Sequence, residues 1–137
     1  MGSGAPQKNM KKIAVLGLGK VGALASELLH EAGFVVTAHD RLASKEVLPF
    51  DVKVTDVTDA DAIATAFGQV DAVLSCLPYN LNTRLAEAAV TSNIHYFDLT
   101  EDVPTTKAIL DLSKRSGKLM APQCGLAPGF IGIVGAD

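Results

Sequence analysis

The chain reads as an α/β protein, a doubly wound parallel sheet of about six strands with helices on both faces. Three observations carry this reading. From residue 12 onward, short apolar runs alternate with segments of helical spacing, the pattern of strands joined by crossover helices. The run Ala72 to Ser75 is apolar without alternation, as suits a strand covered on both faces. Finally, the run through Ile13-Ala-Val-Leu16 turns abruptly into Gly17-x-Gly19-x-x-Gly22 and then into a helical pattern, which is the strand, turn and helix order of a Rossmann unit.

Each element has its own signal. The first strand opens at Lys12, and the first helix carries Val21, Leu24, Ala25, Leu28, Leu29 and Ala32 on one stripe before stopping at Gly33. A second strand follows at once through Phe34-Val-Val-Thr-Ala-His39 and closes on Asp40. A third is expected from Val52 to Thr55, after which Thr58-x-x-Asp61 can cap a short helix running through Phe67. The fourth strand is Ala72 to Ser75. A helix through Leu81, Leu85, Ala88 and Ala89 leads to a fifth strand, Ile94 to Asp98. The next helix carries Ile109 and Leu112, places Lys114-Arg115 in its last turn and stops at Gly117, ahead of a sixth strand from Lys118 to Ala121. Six strands in two halves predict the order 3-2-1-4-5-6.

The glycine turn points to a dinucleotide. Gly17 allows the tight turn, Gly19 lets backbone approach a pyrophosphate, and Gly22 lets helix and strand pack closely. The amides of Lys20, Val21 and Gly22, with Leu18 in the turn, would face the diphosphate at the favourable end of the helix dipole. An acid about 20 residues on should bond the ribose hydroxyls, and Asp40 meets that requirement. A carboxylate there suits NAD and repels a 2′-phosphate, while the adjacent Arg41 could accept that phosphate, so NAD is expected with NADP kept open.

Composition bounds the rest. At 137 residues, 48% hydrophobic and 20% charged, the chain fits one domain with a proper core. A formal charge of −3 with no long basic run argues against nucleic acid as a partner. No apolar stretch has the length of a membrane span and no signal-peptide core opens the chain. A cytoplasmic protein is therefore expected. Cys76 and Cys124 form no CxxC and have no His/Cys ligand spacing, so reduced thiols are expected and no metal site. Residues 1–11 read as a tag or disordered lead, 12–124 as the dinucleotide-binding domain, and 125–137 as the start of a truncated connection to a missing substrate domain. Truncation would expose an apolar face, so self-association into a homodimer is allowed for.

Three segments resemble the saccharopine dehydrogenase-like family: Leu74-Ser-Cys-Leu-Pro-Tyr-Asn80, Tyr96-Phe-Asp-Leu-Thr100 and Cys124-Gly-Leu-Ala-Pro-Gly129. The likeness spans residues 12 to 137, and its Ser-x-x-Pro-Tyr and Gly-x-x-Pro-Gly segments are more diagnostic than the glycine turn. Members include saccharopine dehydrogenases, lysine 6-dehydrogenases and polyamine-forming relatives. The resemblance therefore implies hydride transfer between a nicotinamide and an amino-acid amine or imine carbon. It also implies cofactor contacts at Asp56 and Val57 for adenine, at Ser75, Cys76, Leu77 and Pro78 beside the nicotinamide, and at Cys124 and Gly125 where substrate and nicotinamide meet. Asp56 alternatively caps a turn, Pro78 alternatively only ends a loop, and Cys124 alternatively is a small packed residue. No catalytic residue can be named, because a general acid or base for the small amino-acid substrate would lie mostly in the missing domain. A non-catalytic nucleotide-sensing module and another amino-acid or homoserine-type dehydrogenase are the competing readings.

Overall fold

A computed structural model describes residues 11–42, 47–99, 103–118, 120 and 121. In chain order the elements are β1 (Lys12–Leu16), α1 (Lys20–Glu31), β2 (Val35–Asp40), β3 (Asp51–Val54), α2 (Ala60–Phe67), β4 (Ala72–Ser75), α3 (Asn82–Ser92), β5 (His95–Asp98), α4 (Val103–Ser113) and β6 (Met120–Ala121). A single 3₁₀ turn, Tyr79–Leu81, leads into α3. The six strands form one parallel sheet in the order β3-β2-β1-β4-β5-β6. This is the Rossmann order the sequence predicts. The strand order reverses between β1 and β4, so the carboxyl ends of those two strands flank the crevice where ligands bind in such sheets.

Every residue of β4 is buried, as its unbroken apolar run requires. Two cores lie on opposite faces of the sheet. Ile13, Val15, Val36, Leu74 and Phe97 pack with Ala25 and Leu29 of α1. On the other face Ala14, Leu16, Val73, Tyr96 and Met120 pack with α2, α3 and α4 through residues such as Phe67, Leu85 and Ile109. Alternate residues of β1 thus point into different cores, the period-two geometry of a strand sandwiched between helix layers.

Three local expectations need correction. The buried stripe of α1 is Gly22, Ala25, Ser26 and Leu29, whereas Val21 and Leu24 remain about half exposed. The helix presents its glycine to the turn, where a Cβ would run into the Gly17 carbonyl. The cap of α2 is Asp59, whose carboxylate accepts from the amides of Asp61 and Ala62, while the Thr58 amide and hydroxyl both donate to Asp56. Finally, α4 ends at Ser113, one residue before the Lys114-Arg115 pair. Three short-range bonds close the chain there, from the amides of Lys114, Arg115 and Ser116 to the carbonyls of Asp111, Leu112 and Ser113. The strand limits also shift by a residue or two, with β3 opening at Asp51, β5 at His95 and β6 at Met120.

Both sharp helix ends follow from residue type. After α1 the amide of Gly33 donates to His30 and that of Phe34 to Leu29, with Gly33 at φ 100°, which is a Schellman motif around the expected glycine. After α3 the left-handed position, φ 59°, is taken by Asn93, the non-glycine residue that best tolerates it. No described helix is long and apolar enough to cross a membrane.

Candidate nucleotide-binding site

The three turn glycines are needed for three different reasons. Gly17 leaves β1 with φ 96°, and a Cβ on it would lie 3.2 Å from the Cys76 carbonyl oxygen. Its amide donates to the His39 carbonyl at 2.8 Å, tying the turn to β2. At Gly22 a Cβ would fall 1.7 Å from the Gly17 carbonyl oxygen, so no side chain fits between helix and turn. Gly19 differs from both. Its torsions, φ −68° and ψ −170°, are open to any residue, and a Cβ there would meet nothing within 4 Å. Neither backbone nor packing demands glycine at that point; only the free space in front of it does. That space borders the first turn of α1, which has no side-chain cap, leaving the amides of Lys20, Val21 and Gly22 for water or an anion.

The second wall comes from β2 and β3. One oxygen of Asp40 accepts from the Leu18 amide at 3.1 Å and the other from the Arg41 amide at 2.7 Å. A carboxylate has about four acceptor positions, so it keeps capacity for ribose hydroxyls while bracing the glycine turn. His39, buried, bonds through Nδ1 to the Thr55 hydroxyl at 2.7 Å, and burial together with the nearby Lys53 charge lowers its pKa. Asp56 is held below the usual carboxylate range chiefly by the Thr58 hydroxyl and amide, with a smaller contribution from the Arg41 charge. Asp56 thus forms a turn with Thr58, its alternative role, and it also lines the cleft.

The third wall is the loop after β4. Cys76 bonds through its amide to the Leu16 carbonyl at 2.9 Å, and burial pushes its thiol up to about 12. Such a thiol stays protonated and is a packed residue rather than a nucleophile.

Together these walls enclose a cleft of about 460 Å³ at the carboxyl edge of the sheet. The glycine turn contributes Gly17, Leu18 and Gly19, the β2 end contributes Asp40 and Arg41, the β3 end contributes Asp56 and Val57, and the β4 loop contributes Cys76, Leu77 and Pro78. Ten of the residues singled out from sequence therefore meet in one place. Four others stand beside or behind it. Lys20 and Val21 are exposed at the start of α1, Gly22 is wedged under the turn, and Ser75 is buried with its hydroxyl bonded to Asn82. Cys124 and Gly125 lie outside the described residues, as does Thr100. The cleft also includes His39, Thr55, Thr58 and Leu81, which sequence reasoning did not assign to it. A position next to a fingerprint residue at a strand end was the available signal for His39. Among the described residues no group of three or more His, Cys, Asp or Glu could hold a metal ion.

Residues 13–123 match the family profile of the saccharopine dehydrogenase NADP binding domain. The chain belongs to this family. Among curated proteins, this chain is 34% identical over 92 residues to the aldehyde reductase AdhA of Synechocystis, a match covering 65% of this chain and 27% of the reductase. Among solved structures, the L-Glu-forming saccharopine dehydrogenase of Saccharomyces cerevisiae superposes with a TM-score of 0.67 at 21% identity, over 87% of this chain and 28% of that one. Homoserine dehydrogenase of S. aureus gives a TM-score of 0.65 at 18% identity, over 82% and 32% of the two chains. These identities speak for the fold. The chain spans about a quarter of the length of this curated reductase.

Proposed function

We propose that the cleft binds NAD(H) and that the domain serves an oxidoreductase transferring hydride at the C–N bond of a small amino-acid substrate. The observation carrying the cofactor part is Gly19: an ordinary backbone conformation and empty space where a Cβ would stand, in front of an uncapped helix start. A diphosphate fills that cradle without a steric cost, and the α1 amides supply its donors. Asp40 accepts from the ribose hydroxyls, and Val57 with Asp56 borders the adenine end. Cys76, Leu77 and Pro78 exclude water on the side where the sheet order reverses. The bound dinucleotide supplies the hydride acceptor or donor; the chain supplies binding, orientation and exclusion of solvent.

Asp40 favours NAD over NADP, although the family's description names NADP. A 2′-phosphate would be placed against a carboxylate already fixed by two amides, and the repulsion selects against it. Tighter binding of NADH than NADPH, with the gap narrowed by Asp40→Ser, is the expected calorimetric result. Equal affinities in the parent contradict it.

The substrate class rests on family membership. A second reading, reduction of a carbonyl, is supported by the likeness to the aldehyde reductase. The two part in one assay: reduced-nicotinamide absorbance followed with the protein from its native reading frame, against a panel of lysine, saccharopine and related amino acids beside a panel of aldehydes. Turnover confined to the amino acids supports the C–N reading. Turnover confined to aldehydes replaces it.

A further inference from the structure

Behind the cleft, at the carboxyl ends of β4 and β5, lies a polar cluster that does not line it. Ser75, Asn82, Tyr96 and Asp98 are each at most 1% exposed. The Ser75 hydroxyl donates to Asn82 Oδ1 at 2.6 Å. That bond joins the last residue of β4 to the first residue of α3, and so closes the two feet of the loop 76–81. The same loop carries Cys76, Leu77, Pro78 and Leu81 into the cleft, with Leu77 Cδ2 lying 3.1 Å from where a Gly17 Cβ would stand. The height of the loop therefore sets the gap between it and the glycine turn.

Two further contacts hold the feet. The Leu77 amide reaches back toward the Ser75 hydroxyl at 3.4 Å, and the Tyr96 hydroxyl, bonded to Asp98 at 2.7 Å, lies 3.4 Å from the Asn82 carbonyl. Asn82 Nδ2 is buried with no hydrogen-bond partner among the described residues. A buried donor left unmet is destabilising, and an apolar side chain of similar size would avoid it. Core packing alone thus argues against asparagine here, whereas an acceptor for the Ser75 proton argues for it.

Resting on the dinucleotide reading above, we propose that Asn82 is a positioning residue: through Ser75 it clamps the loop 76–81 at the height that receives the nicotinamide half of the cofactor. It touches no ligand itself. The adenine half lies against β2 and β3, away from the clamp, so the two halves respond differently to its loss.

The test is calorimetric titration of the 137-residue chain, Asn82→Ala and Ser75→Ala with NADH and with ADP-ribose, which lacks the nicotinamide ring. Loss of one hydrogen bond's worth of positioning weakens NADH by about fivefold or more while ADP-ribose stays within about twofold. Thermal melts of the same samples establish that the variants are folded; should Asn82→Ala fail to fold, Ser75→Ala, which removes only a hydroxyl, gives the same readout. Equal weakening of both ligands, or no change in either, overturns the clamp while leaving the cofactor reading intact. A parent chain that binds neither ligand overturns both.

Discussion

A glycine can be required by torsion, by contact or by emptiness, and the turn after β1 contains one of each. Gly17 has the left-handed φ, Gly22 has a carbonyl where its Cβ would be, and Gly19 has neither constraint. This separation makes a clean experiment in denaturant. Gly22→Ala forces the helix off the turn and is expected to lower stability by about 1–3 kcal/mol or more, the usual range for overpacking. Gly19→Ala leaves urea stability within about 0.5 kcal/mol of the parent, as for substitutions that disturb no packing or cap. Comparable losses from the two would mean that Gly19 is structural after all. The three roles were legible in the motif itself. What the motif could not convey is that Asp40 also braces the turn through the Leu18 amide, because that bond depends on how β2 lies beside β1.

At the scale of elements, the sequence signals were strongest where one residue type has one physical use. Gly33 ends α1 as its torsion demands, and the apolar run of β4 is buried on both faces. They were weakest where neighbours compete for the same task. Thr58 and Asp59 are both good caps, and only the fold shows that Thr58 is taken up by Asp56, leaving Asp59 to hold α2. Asp59→Ala is accordingly expected to cost about 1 kcal/mol in a urea melt, the usual loss for an N-cap acid, with Thr58→Ala costing less. The reverse ranking would restore Thr58 as the cap. The buried stripe of α1 lies about one residue from its most hydrophobic stripe for a related reason: Gly22 and Ser26, neither of them an apolar anchor, are among the residues it buries.

For the whole molecule, the strand order followed from alternation of elements and the glycine turn, and the cleft followed from the strand order. The proposed clamp behind it did not, because Ser75 and Asn82, seven residues apart, fit no motif spacing, and Tyr96 reaches them only through the pairing of β4 with β5. The fold also makes the domain sensitive to mild acid. Burial lowers the pKa of His39, aided by Lys53, and of His95, aided by Lys118 and opposed by Asp71. Below the ordinary value of 6.5 the unfolded chain binds protons that the folded chain refuses, so stability present above that pH is lost as the pH falls through it. The carboxylate Asp56, shifted below its ordinary 3.8, acts only in a lower window. The melting midpoint should therefore be flat from about pH 8 to 7 and decline below about 6.5, less steeply in His39→Gln; a midpoint unchanged down to about pH 5 would contradict the lowered pKa of His39 and His95. The whole cofactor reading depends on the space in front of Gly19 being a diphosphate cradle. Isothermal titration of NADH into the parent chain and into Gly19→Val, with circular dichroism confirming that both are folded, tests it most directly. Saturable binding by the parent and none by the variant is the expected result; undiminished affinity in a folded Gly19→Val chain would rule out the cradle.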